Sequence, residues 1–117
     1  MQGKSGDSWQ AQAARIRALN DQLRRESVGG HECVSIGIVE LGYEEFCEIR
    51  EKVKAFETFT TANDPYAEHD FGSFTHNGHD IFWKIDYYDN TSVYASPDPT
   101  DPSVTTRIIT IMLASEY

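Results

Sequence analysis

Apolar residues recur every three or four positions from Trp9 onward. Trp9, Ala13, Ile16, Leu19 and Leu23 form one stripe, and this spacing predicts an amphipathic helix over about Ser8 to Arg25. Asp7 or Ser8 suits its N-terminal cap, and Gly29-Gly30 suits its stop. Arg15, Arg17, Arg24 and Arg25 fall off the stripe, so they are expected on a solvated face, with the last two complementing the helix dipole. The pattern then changes. From His31 to Glu40 the run Cys33-Val34-Ser35-Ile36-Gly37-Ile38-Val39 is short and β-branched, which predicts a strand. Leu41-Gly42 breaks it, and Tyr43, Phe46, Ile49, Val53 and Phe56 return to helical spacing over about Tyr43 to Thr58.

The stretch from Phe59 to Asp70, containing Asn63-Asp64-Pro65, reads as a loop, because the residue before a proline avoids helix. Asn77-Gly78 is the dipeptide favoured in a two-residue type I′ turn, so the segments Asp70 to His76 and His79 to Asp89 are expected to pair as a hairpin. That register sets His76 against His79, Phe74 against Ile81, Gly72 against Trp83 and Phe71 against Lys84. Extended further, it sets Asp70 against Ile85 and His69 against Asp86. Both sides of residues 80–89 carry large apolar groups, so this segment is the expected central strand. Residues 89–102 hold three of the four prolines and read as an ordered surface loop that fixes Asp89, Asp98 and Asp101 in place. Val104 to Ala114 is ambiguous: Asp101-Pro102 resembles a helix start, while the β-branched run after it favours a strand buried beside the central one.

These elements predict one α+β domain over residues 1–117, with residues 1–7 flexible. Two amphipathic helices are expected to cover one face of a mostly antiparallel sheet of about four strands, in the order α-β-α-β-β-β. Composition agrees with a folded chain, since 39% of residues are hydrophobic and 12% aromatic, and no window is apolar enough for a membrane span. Without a basic and then apolar leader, a cytoplasmic location is the expectation, and Cys33 and Cys47 are expected as reduced, buried thiols.

Charge changes the picture more. The chain carries 10 Lys plus Arg against 19 Asp plus Glu, a net −9. Residues 57–102 hold nine acidic groups and a single lysine, so almost the whole excess lies in one block. Such a domain repels nucleic acid, whose binding rests on Lys and Arg neutralising phosphates.

Glu68, His69, Asp70, His76, His79 and Asp80 crowd the hairpin. A metal ion on the histidines, or a general base built from His69 and Asp86, are the chemical options there. Ordinary cross-strand pairing is the preferred reading, because the chain has no phosphate loop, nucleophile elbow, Cys-x-x-Cys pair or His-Glu-x-x-His helix. No cofactor and no metal ion are expected.

Phe82-Trp83-Lys84-Ile85-Asp86-Tyr87-Tyr88-Asp89, Ser96-Pro97-Asp98-Pro99 and Thr110-Ile111-Met112-Leu113-Ala114-Ser115-Glu116-Tyr117, with Asn63-Asp64-Pro65 and Glu68-His69-Asp70-Phe71-Gly72, carry a resemblance over nearly the whole chain. The chain resembles a small bacterial family of domains of unknown function, found mainly in proteobacteria and often on mobile elements. The resemblance implies no activity, only that setting, which is similar to that of anti-CRISPR and anti-restriction inhibitors. The expected function is therefore a non-enzymatic acidic protein that occupies the basic nucleic-acid-binding surface of a protein partner, a CRISPR effector complex being one example. Asp64, Glu68, Asp70, Asp86, Tyr88, Asp89, Asp98 and Asp101 are the expected contact residues. The alternatives are a small enzyme using His69, Asp70 and Asp86, and an assembly or dimerisation module.

Overall fold

The computed structural model describes residues 8–117, so the expectation of flexibility at residues 1–7 lies outside the described residues. Helix α1 (Trp9–Glu26) starts where Ser8 accepts a hydrogen bond from the Ala11 amide, and it ends at Ser27 in the left-handed conformation, two residues before the expected glycine stop. Strand β1 (His31–Val34) and the short helix α2 (Ile36–Glu40) follow, then α3 (Tyr43–Ala55), β2 (Phe71–His76), β3 (His79–Tyr88) and β4 (Thr106–Leu113). Two single 3-10 turns, Pro102–Val104 and Ala114–Glu116, flank β4.

The α+β class and the hairpin agree with the sequence expectation. The hairpin register matches pair for pair from His76 and His79 to Phe71 and Lys84, around Asn77 and Gly78 with φ of 49° and 82°. The C-terminal segment is a strand and lies in the sheet interior, between β3 and β1. One expectation is met in part and one needs correction. The sheet order is β1-β4-β3-β2; β4-β3 and β3-β2 pair antiparallel as expected, but β1 runs parallel to β4, so the sheet is mixed. The predicted strand His31 to Glu40 is a strand only to Val34. Ser35 accepts from the Ile38 amide and Glu116 accepts from the Gly37 amide, and these two caps turn the β-branched run Ile36–Val39 into a helix.

All three helices cover one face of the sheet. Leu23, Ile38, Ile49 and Val53 pack there on Ile81, Trp83, Ile85, Ile109 and Ile111. Trp83 is fully buried and lies across Gly72, its register partner, where an added Cβ would come within 2.3 Å of the indole Nε1. Only glycine leaves room for that approach. Among the described residues no α-helix covers the opposite face; Phe71, Phe82 and Tyr117 make edge-to-face contacts on it at 5.0 to 6.1 Å. Cys47 is half-buried, but Cys33 is exposed on the edge strand β1, against the expectation of a buried thiol. Among the described residues no helix is long and apolar enough to cross a membrane.

Candidate functional site

The antiparallel pairing brings the start of β2, the end of β3 and the start of β4 to one end of the sheet, and two loops, residues 56–70 and 89–105, join there. Each loop is shaped by short polar side chains. Asn63 and Thr60 exchange bonds with each other's backbone, and the Asp64 carboxylate accepts from the His69 amide at 3.1 Å. In the proline-rich loop three carboxylates each hold a turn: Asp89 accepts from Thr91, Asp98 from Thr100 and Asp101 from Ser103, through both the amide and the hydroxyl two residues on. Sequence reading expected these acids to be ordered; the Asp-x-Thr and Asp-x-Ser spacing is the signal that names the partners.

Beneath the loops lies a buried polar network centred on α1. The Asn20 side chain is fully buried and donates to the Glu68 carbonyl and the Tyr87 hydroxyl, while its oxygen accepts from Arg107 Nε at 2.7 Å. Arg107 also donates to the Pro99 carbonyl and lies over the Tyr87 ring. Tyr87 donates to the Glu68 carboxylate at 2.8 Å, and burial raises its phenol far above the usual range, so it stays protonated. Arg17 donates to the Ala67 carbonyl.

The expected pair His69 and Asp86 does not form. The ladder ends at Phe71, and His69 has a φ of 56°, which takes its ring off the strand line. The ring stacks on Phe59 at 3.7 Å, with Nδ1 2.9 Å from Asp21 and Nε2 3.7 Å from Asp64. Asp86 instead pairs with Lys84 at 2.7 Å, and that carboxylate raises the lysine's pKa.

The expected contact residues therefore gather at one end but differ in what they do. Asp64 is buried in the loop turn, Glu68 receives the Tyr87 hydroxyl, and Asp89, Asp98 and Asp101 cap turns. Tyr88 is half-buried and forms an isolated bridge with Ala95. Asp70 is raised above the usual carboxylate range, first by burial and then by the nearby Glu68 charge. Beside these acids an open groove of about 360 Å³ is lined by Trp9, Gln12, Ile16, Pro65, Tyr66 and Glu68. Trp9 is 58% and Tyr66 68% exposed, so two large rings flank a carboxylate.

The Asp70 environment has a measurable consequence. A carboxyl raised in the folded state stabilises the fold below its unfolded pKa, and that contribution is lost as pH rises through the raised value. Asp70→Asn is expected to raise Tm by about 2 °C at neutral pH and to leave it unchanged near about pH 3, measured by thermal unfolding followed by circular dichroism. A variant equally shifted at both pH values contradicts this.

The histidines weighed as an optional metal site diverge in burial and place. His76 is buried against α3, His79 is exposed and His69 lies at the other end of β2. Among the described residues, Glu45, Glu48 and His76 are the set whose ligating atoms converge, a grouping that depends on how α3 docks on the hairpin.

Residues 34–116 match the model of a family described as a protein of unknown function (DUF3768). No curated protein and no solved structure matches the chain.

Proposed function

We propose a function for this chain, which belongs to the DUF3768 family of proteins of unknown function, from its own geometry: it is a non-enzymatic acidic protein whose loop-bearing end docks on a basic surface of another protein. The partner's surface is one that ordinarily holds nucleic acid, in a host defence complex of CRISPR or restriction type, and the chain inhibits by occupying it. A mobile-element origin, as for other small inhibitors of that kind, fits this role.

The observation that carries the reading is the gathering of Glu68, Asp70, Asp86, Asp89, Asp98 and Asp101 at one end of the sheet, beside a groove flanked by exposed Trp9 and Tyr66. Charge of one sign steers and orients a basic partner, while aromatic rings supply the contact area on which affinity concentrates. Support over a His69-based enzyme comes from the ring itself, since carboxylates face both of its nitrogens and a phenyl ring covers its plane.

Charge reversal at Asp98 and Asp101 is a poor test, because both carboxylates hold turns. Trp9→Ala combined with Tyr66→Ala removes exposed rings instead. The assay is plasmid transformation of hosts carrying an active restriction or CRISPR system, with and without the protein. The native chain is expected to restore transformation in one such host, and the double variant to lose that effect by about tenfold or more at equal expression. A native chain without effect in every host overturns the inhibitor reading.

A further inference from the structure

Away from the acidic loops, at the turn end of the hairpin, α3 and β2 bring together three groups that the proposed docking does not use. Glu45 and Glu48 are three positions apart on α3 and so share one helix face. His76, the last residue of β2, lies under that face and is 2% exposed. Its Nε2 is 3.3 Å from a Glu45 carboxylate oxygen and 3.5 Å from one of Glu48, and the three ligating atoms all lie within 4.8 Å of one another.

These separations are long for a hydrogen bond, whose N–H···O distance runs about 2.7–3.2 Å. They do match the edge of a coordination tetrahedron: ligand bonds of about 2.0–2.1 Å at tetrahedral angles set neighbouring ligand atoms about 3.3–3.4 Å apart. From this geometry we infer that Glu45, Glu48 and His76 form a binding site for a divalent transition-metal ion of the zinc class.

Two carboxylates balance the charge of the dication, and one imidazole with two oxygens suits zinc better than calcium or magnesium, which take oxygen alone. Asn77 Nδ2 donates to one Glu45 oxygen at 3.0 Å and lies 3.3 Å from the other and from His76 Nε2, so it orients that ligand from the rim of the site and turns aside from Nε2 when the ion enters. The Glu48 side chain is 61% exposed, which leaves the outer side of the site to water as the remaining ligand.

Lys52 makes the site distinctive. Its ammonium donates to His76 Nδ1 at 2.9 Å, which puts the ring proton on Nε2, the atom that must hold the metal. Metal binding therefore moves the ring proton to Nδ1 and turns Lys52 away. The lysine is exposed and free to swing into solvent. Lys52 thus competes with the metal for one tautomer of His76.

The test is isothermal titration of the purified chain with zinc chloride alone, alongside variants chosen to stay folded. The native chain is expected to bind one ion. Exposed Glu48→Gln is expected to weaken binding by about tenfold or more, and Lys52→Met to tighten it. His31→Ala with Cys33→Ser removes an exposed imidazole and thiol on β1 and is expected to change nothing. Ring nitrogen NMR is expected to show the His76 proton moving from Nε2 to Nδ1 as zinc is added. Absence of binding overturns the site, and so does binding that follows His31 and Cys33 in place of Glu48.

Discussion

Arg24→Ala is expected to cost about 3–5 kcal/mol, the largest single-residue loss in this fold. The guanidinium is 2% exposed, and one nitrogen, Nη1, donates to the carbonyls of Val53, Lys54 and Phe56 at the end of α3. Its Nη2 pairs with Asp21 at 3.0 Å, and its Cζ lies 5.3 Å from the Trp83 ring centre and 5.4 Å from that of Phe59. Burial lowers its pKa first, with Asp21 opposing that shift. Truncation removes the cap of one helix, a partner of Asp21 and the filling between two aromatic rings at once. Stability of a chain this size is about 5–15 kcal/mol, so the loss takes a large share of it. Arg24→Lys is expected to recover only a minor part, because an ammonium lacks the planar fork that reaches α3 and Asp21 together. Urea unfolding checks both: a midpoint shift at constant m-value is expected, and a loss below about 1 kcal/mol for Arg24→Ala contradicts the role.

Arg24 also shows what the sequence hides. The apolar stripe of α1 is legible because helical spacing is local, and Ala13, Ile16 and Leu23 are buried as that spacing requires. Arg24 lies beside the stripe and reads equally well as a solvated cation complementing the helix dipole. What buries it is the end of α3, about 30 positions away, and no local pattern announces that docking.

The hairpin register was readable for the opposite reason, since Asn77-Gly78 fixes it within the turn itself. Reading stopped holding where the backbone left the ladder at His69, whose ring meets Asp21 on α1 and not Asp86 on β3. The segment Ile36–Val39 failed differently. Its β-branched residues favour a strand, but Glu116, from the far end of the chain, caps the helix they form. Of the candidate sites, the acidic block was visible as charge, and its gathering at one end followed from the hairpin. The Glu45, Glu48 and His76 grouping needed the packing of α3 on β2, which depends on tertiary contacts alone.

Asn20→Leu is expected to cost about 2–4 kcal/mol, chiefly by stranding Arg107. The leucine matches the volume, but Arg107 Nε loses its partner in a place that water does not reach, and the half-buried Tyr87 hydroxyl and Glu68 carbonyl each lose a donor. Arg107 retains the Pro99 carbonyl and the Tyr87 ring, too little for a guanidinium that is 2% exposed and whose pKa burial already lowers. Because Asn20 and Arg107 tie residues 68 and 99 to the helix layer, amide hydrogen exchange is expected to quicken first in both loops and only later in β3. The double variant Asn20→Leu/Arg107→Met separates the causes. If the cost is the stranded charge, removing that charge restores much of the lost stability, and the two substitutions couple favourably by about 1–2 kcal/mol. If the cost is the lost anchoring of the loops, the losses add, and the acidic end stays open in exchange even where the urea midpoint recovers.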